Sequence, residues 1–132
     1  MGTGSSNGAM TKGALPPSLS PLEAFAQKHI LITGTTGFLA KVMLAMLLER
    51  FSVGKIYCLV RAQKSKSARE RFYDEVLGSE MMEPIQRRFG PSFRAYIDEK
   101  VEILTGDISQ PSLGLDAETA ARVQADVDVV LN

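Results

Sequence analysis

His29-Ile30-Leu31-Ile32-Thr33-Gly34-Thr35-Thr36-Gly37-Phe38-Leu39-Ala40-Lys41 is the stretch whose reading decides the fold. A short apolar run ends in a hydroxyl residue, a pair of glycines follows, and an apolar helical pattern begins. That order reads as strand, tight turn and helix, the opening unit of a dinucleotide-binding fold. Gly34 permits the sharp turn off the strand, because glycine reaches backbone angles closed to other residues. Gly37 has no side chain, so the first helical turn can approach a pyrophosphate, its unpaired N–H groups and the helix dipole facing the negative charge. Ala40 holds the third glycine place, where a small residue lets helix and strand pack closely.

The 132 residues suit one domain or part of one. Apolar residues make up 45% and charged residues 23%, the balance of a globular chain. Fifteen basic residues offset fifteen acidic ones, so nothing favours a nucleic acid or an anionic membrane as partner. His29 is the only histidine and Cys58 the only cysteine, which leaves no Cys/His cluster with metal spacing. Cys58 lies inside an expected strand and reads as a small buried apolar residue. The run from Val42 to Leu48 is too short to span a bilayer.

Residues 1–21 are rich in Gly, Ser, Thr and Pro and read as a disordered tail, too poor in apolar surface to offset the entropy of ordering. Met1-Gly2-Thr3-Gly4-Ser5-Ser6 fits an N-myristoylation pattern that Gly/Ser-rich tails also match by chance. The hydroxyl-rich, acid-free start is shared with organellar transit peptides, although it has no arginine. Location therefore stays open between the cytoplasm, the periphery of an intracellular membrane and an organelle.

Leu22 to Lys28 forms a short lead-in helix, and His29 to Thr33 the first strand. The helix from Phe38 to Phe51 is apolar on nearly every face and is expected to be buried against the sheet and against something beyond this stretch of chain. Its methionines, Met43 and Met46, read as core residues. Lys55 to Val60 is a continuous apolar strand of the kind found in parallel sheets covered on both sides. Ser67 and Glu70 form a capping box that starts a helix carrying Ala68, Phe72 and Val76 and stopping at Gly78. Short helices follow at Glu83–Phe89 and Phe93–Glu99, then a strand at Val101–Thr105. Asp116 caps a helix over Ala117–Ala125, and Asp128–Asn132 is a fourth strand. Right-handed crossovers give a parallel sheet in the order 3-2-1-4. The expected class is α/β, the N-terminal portion of a Rossmann-type doubly wound sheet with helices on both faces. A bare apolar fourth strand is an aggregation hazard. Residues 22–132 are therefore expected to be the N-terminal part of an NADP-binding domain completed by further sequence.

The residues after the second strand bear on the cofactor. An NAD site places Asp or Glu there for the ribose hydroxyls, and an NADP site places Arg near the 2′-phosphate. Here the strand runs into Arg61-Ala62-Gln63-Lys64, with no acid. A charge-assisted bond from Arg61 to a phosphate is worth roughly 1.5–3 kcal/mol, enough to favour NADPH by about tenfold or more. Arg71, taken alone, reads as a surface arginine able to lean over the same phosphate. Asp107 and Ile108 end the third strand, where Asp107 can accept from an adenine amino group or simply form a turn. Tyr96-Ile97-Asp98-Glu99-Lys100 has the Tyr-x-x-x-Lys spacing of short-chain dehydrogenases, but it precedes the third strand rather than following the fourth. Tyr96 is accordingly expected to be a packing residue.

Thr33-Gly34-Thr35-Thr36-Gly37-Phe38-Leu39-Ala40-Lys41 resembles the turn of fatty acyl-CoA reductases, extended short-chain dehydrogenases, and its Ala-Lys ending is like the plant-type members. Ile56–Ala62, Phe72–Gly78, Glu99–Val101, Gly106–Ser109 and Leu113–Leu115 continue the similarity, which covers about residues 25–132. The resemblance implies reduction of a long-chain acyl-CoA by NADPH to a fatty alcohol, with hydride delivered first to the thioester and then to the aldehyde. By similarity, Thr33, Gly34, Thr35, Thr36, Gly37, Phe38 and Leu39 would hold the diphosphate, Arg61 and Arg71 the 2′-phosphate, and Asp107 and Ile108 the adenine. The family's catalytic Tyr-x-x-x-Lys and acyl pocket would lie beyond Asn132, so the piece alone should be inactive and needs the rest of the reductase domain. Thioester reductase domains of carboxylic acid reductases share the Arg61/Arg71 spacing, and a non-catalytic NADP-binding sensor is an alternative of another class.

Overall fold

β1 (His29–Ile32) hydrogen-bonds in parallel to β2 (Lys55–Val60) on one side and to β4 (Val129–Leu131) on the other. β3 (Val101–Thr105) adds to the outer side of β2, so the sheet order is β3-β2-β1-β4. This is the expected 3-2-1-4 order in a Rossmann-type α/β fold. The computed structural model describes residues 20–132. The expected tail, 1–21, lies outside these residues except at its end, where Ser20 caps α1 (Pro21–Phe25) through a capping box with Glu23.

Strand residues alternate between two faces because successive side chains point to opposite sides. Ile30, Ile32, Ile56, Cys58 and Val60 face the larger core cluster and are buried. Leu31, Tyr57, Leu59 and Leu104 face the smaller one. Removing each large aliphatic side chain from water contributes roughly 1.5–3 kcal/mol, less the entropy of ordering it. On the larger face, α2 (Phe38–Arg50) lays Ala40, Leu44, Leu47 and Leu48 on the sheet at helical spacing. The helix also meets the segment from Glu80 to Phe89, but Met46 stays 46% exposed, so the expected burial on every face is not realised among the described residues. On the smaller face, Val123 of α6 (Ala117–Asp126) packs with Leu113 and Leu115. Asp116 caps α6 by accepting from the Thr119 N–H at 2.8 Å.

One helix differs from expectation. Ser67 and Glu70 form the capping box, with bonds of 3.1 and 2.9 Å, but regular α geometry lasts only over α3 (Ala68–Arg71). The chain then widens into a π-helical turn over Phe72–Val76, closed by the Leu77 N–H donating to the Phe72 carbonyl at 3.0 Å. The wide turn accompanies the entry of Phe72, Val76 and Leu77 into the same core cluster, while Arg71 is left at its beginning. Sequence spacing alone does not separate the two helix types over so short a run.

α4 (Glu83–Phe89) and α5 (Phe93–Lys100) complete this layer. The Tyr-x-x-x-Lys pair on α5 is used in packing. Tyr96 stacks on Phe89 with ring centroids 4.1 Å apart and donates its hydroxyl to the Leu48 carbonyl at 3.0 Å. Lys100 Nζ donates to the Val53 carbonyl at 2.7 Å. Leu48 lies in the last turn of α2, so the pair sits at the edge of the sheet away from the glycine turn. Asp126 closes the same edge, accepting from His29 Nδ1 at 2.7 Å and from the Tyr57 hydroxyl. Among the described residues, no helix is long and apolar enough to cross a membrane.

Leu44 is fully buried at the contact of α2 with the sheet. Leu44→Ala is expected to lower unfolding stability by about 2–5 kcal/mol in urea denaturation, the range for a leucine cavity in a packed core. A loss below about 1 kcal/mol would mean that α2 is not docked as described.

Candidate dinucleotide-binding site

The site begins where β1 ends. The Thr33 N–H donates to the Leu131 carbonyl at 3.0 Å, and its hydroxyl donates to Asn132 Oδ1, which carries the β1–β4 pairing one residue past the strand. Gly34 follows with φ +62° and open space around a notional Cβ, so the backbone angle and not crowding demands glycine there. The Gly37 N–H donates back to the Gly34 carbonyl at 2.8 Å and closes the turn. Gly37 is the N-cap of α2 and supplies no side-chain cap. The first turn of this helix therefore presents N–H groups and the positive end of its dipole without a competing side chain.

Thr35 is buried, its hydroxyl 3.1 Å from the Leu59 carbonyl and 3.3 Å from that of Ile32. It ties the turn to β2. Phe38 and Leu39, at the start of α2, are 73% and 65% exposed. Ala40 is buried, in keeping with its small-residue place.

The end of β2 brings the two arginines together in different states. Arg61 has a largely exposed side chain, with Nη1 3.9 Å from Asp107 Oδ2. Arg71 is buried and held by several partners. Its Nε and Nη2 donate to the two carboxylate oxygens of Glu75 at 3.0 and 3.1 Å, and Nη1 donates to the Arg61 carbonyl at 2.7 Å. Nη2 also lies 3.5 Å from the Thr36 hydroxyl, at the outer limit of a hydrogen bond. The bonds from Arg71 hold the Glu75 carboxyl below the usual carboxylate range, and the same pairing raises Arg71 further.

At the end of β3, Gly106 fits because its backbone passes against the Leu113 carbonyl and Leu59 Cδ1, where any Cβ would overlap. Asp107 Oδ1 accepts from the Ser109 N–H at 2.9 Å and from its hydroxyl at 2.7 Å. These bonds, with a smaller effect from Arg61, lower the Asp107 pKa. The turn-forming role is thus present, and Oδ2 remains turned toward Arg61. Ile108 is 56% exposed.

A cavity of about 180 Å³ joins the three strand ends, lined by Gly34, Thr35, Thr36, Leu59, Val60, Arg61, Arg71, Gly106, Asp107 and Ile108. Of the expected site residues it leaves out Thr33, Gly37, Phe38 and Leu39, which lie along the turn and the start of α2. The donor set suits an anionic, nucleoside-bearing ligand: an uncapped helix start, an exposed guanidinium and a carboxylate with one oxygen available. Glu75 escapes the motif reading, although its spacing four residues after Arg71 marks it as a helical pair partner. Nothing in the sequence distinguishes the buried, strand-pinning Thr35 from the neighbouring Thr36.

Strand order, glycine turn and cavity define an NAD(P)-binding α/β domain. The chain belongs to the Male sterility protein family of NAD-binding domains, whose profile matches residues 32–132. It is similar to fatty acyl-CoA reductase 2, chloroplastic, of Arabidopsis thaliana, 38% identical over 106 residues that make up 80% of this chain and 17% of that protein. It is 36% identical over 115 residues to the alcohol-forming fatty acyl-CoA reductase of Simmondsia chinensis, covering 86% of this chain and 23% of that one. Among solved structures, the reductase (R) domain of a non-ribosomal peptide synthetase from Mycobacterium tuberculosis matches with a TM-score of 0.60 and 33% identity, over 78% of this chain and 23% of that one. The chain is a fatty acyl-CoA reductase-like NAD(P)-binding domain and spans about a fifth of the length of these relatives.

Gly106→Ala is expected to cost about 1–3 kcal/mol of stability, as for overpacking elsewhere, because the added carbon meets backbone at Leu113. Thermal unfolding checks this; a variant within about 0.5 kcal/mol of the parent would contradict the close approach of the two segments.

Proposed function

We propose that this chain is the NADPH-binding part of a fatty acyl-CoA reductase that takes a long-chain acyl-CoA thioester through the aldehyde to the fatty alcohol. The observation that carries the cofactor assignment is the exposed Arg61 guanidinium at the end of β2, beside the glycine turn, where an NAD site would carry an acid. In this reading the backbone from Thr33 through Gly34, Thr35, Thr36, Gly37 and Phe38 to Leu39 holds the diphosphate. Arg61, exposed and only loosely paired with Asp107 at 3.9 Å, meets the 2′-phosphate with a mobile guanidinium, and Arg71 meets it from a fixed position. Asp107 accepts from the adenine amino group through Oδ2, the oxygen that Ser109 leaves available, and Ile108 packs on the ring.

When bound, NADPH supplies the hydride for both reductions. This chain's own work is to hold and orient the adenine end. The acyl-CoA site and the proton-donating groups are assigned to the remainder of the reductase. Support for the substrate class comes from the named reductases of Arabidopsis and Simmondsia. A second reading, a thioester reductase acting on carrier-bound acyl groups, is favoured by the likeness to the peptide-synthetase R domain and to that of the myxalamid pathway, 28% identical with a TM-score of 0.60. Turnover of acyl-CoA but not of the carrier-bound acyl group by the intact protein supports the first reading, and the reverse preference supports the second. Absence of turnover with either, alongside NADPH binding, would instead point to a cofactor sensor.

Arg61→Ala in the intact protein is expected to raise the NADPH dissociation constant about tenfold, the equivalent of one charge-assisted bond, and to leave NADH within about twofold. Fluorescence titration of each cofactor gives both values. Equal weakening of the two would overturn the assignment of Arg61 to the 2′-phosphate.

A further inference from the structure

Arg71 has five N–H donors in a planar fork. Four are engaged: two by Glu75, one by the Arg61 carbonyl and one by the long contact to Thr36. One Nη1 N–H is left without a protein acceptor among the described residues, on a side chain that lines the cavity. Glu75 fixes the plane in which this fork lies. Its two oxygens meet Nε and Nη2 side by side, a geometry more directional than a single point contact.

The pair is poorly placed to stabilise its own helix. Arginine precedes glutamate, the less favourable order for spacing i, i+4, and the segment leaves α geometry directly after Arg71. Departures of this π type collect at functional sites. Arg71 is also the buried partner, its side chain 11% exposed against 34% for Glu75, so the carboxylate sits outside and holds the guanidinium inward.

We propose that Glu75 is a positioning residue for cofactor selection: its bidentate hold orients the Arg71 guanidinium so that its remaining N–H meets a 2′-phosphate. This rests on the reading of the β2 edge as a 2′-phosphate site. Because Glu75 neutralises Arg71, Arg61 supplies the net attraction and Arg71 supplies direction.

Two substitutions break the fork, one keeping the charge and the other removing it. Glu75→Asp keeps the charge but shortens the side chain by one methylene, about 1.5 Å, which breaks the two-point contact. Glu75→Gln keeps the length but loses both the charge and one of the two acceptors, since its NH2 group cannot accept from the guanidinium; it breaks the fork too, while freeing the charge of Arg71. Dissociation constants for NADPH and NADH are measured on the intact protein for both variants, with Arg61→Ala alongside. The expected result is a loss of about five- to tenfold for NADPH in Glu75→Asp with NADH within about twofold, and a smaller NADPH loss of about two- to fivefold in Glu75→Gln, where the freed charge of Arg71 offsets part of the lost direction. An unchanged NADPH to NADH ratio in Glu75→Asp, or equal losses for both cofactors, overturns the proposal. Tighter NADPH binding in Glu75→Gln with Glu75→Asp unchanged overturns it too, since charge alone would then matter. If Arg61→Ala also fails to move the ratio, the 2′-phosphate reading itself falls; if it moves and Glu75→Asp does not, only the role of Glu75 falls.

Discussion

Because β1 is hydrogen-bonded in parallel to β2 on one side and β4 on the other, the chain must return across a face of the sheet before each new strand. The returns are α2, the α3-to-α5 layer and α6, and they bury the two faces of the sheet. The same constraint places the ends of β1, β2 and β3 along one edge. The glycine turn, Arg61 and Asp107 are far apart in sequence and meet there for no other reason. The opposite edge carries polar ties among Asp126, His29 and Tyr57, and the α5 pair that only imitates a catalytic motif.

Charge at the site is divided unequally. Two arginines within one cavity suggest a doubly positive pocket, but Arg71 spends its charge on Glu75 while Arg61 keeps only a distant approach to Asp107. An exposed guanidinium can follow a ligand; a clamped one has already lost its conformational freedom and loses less on binding. Arg71 also links three parts of the site, the turn at Thr36, the end of β2 and its own helix, so its orientation and theirs are coupled.

Most of the fold was legible because hydrophobic period and turn chemistry agree along the chain. The apolar run of β2, the capping box at Ser67 and the cap at Asp116 each set the start of an element where the structure has it, whereas the Ser20 capping box, which starts α1 at Pro21, falls at the end of the stretch that reads as a disordered tail. The π turn after Arg71 was not legible, since Phe72 and Val76 at this spacing fit a helix of either type. At the site, the need for glycine at Gly34 could be read from residue type, because a positive φ is a local need. The engagement of Thr35 with Leu59, of Thr33 with Asn132 and of Arg71 with Glu75 depends on where other segments arrive, which tertiary packing decides.

On the proposed function, this edge of the sheet recognises a 2′-phosphorylated adenosine. Competition by adenosine 2′,5′-bisphosphate and by 5′-AMP against NADPH tests it without involving the nicotinamide half or any catalytic group. The bisphosphate is expected to displace NADPH at least about tenfold more effectively than 5′-AMP, one extra charge-assisted contact set against none. Equal displacement by the two would contradict it.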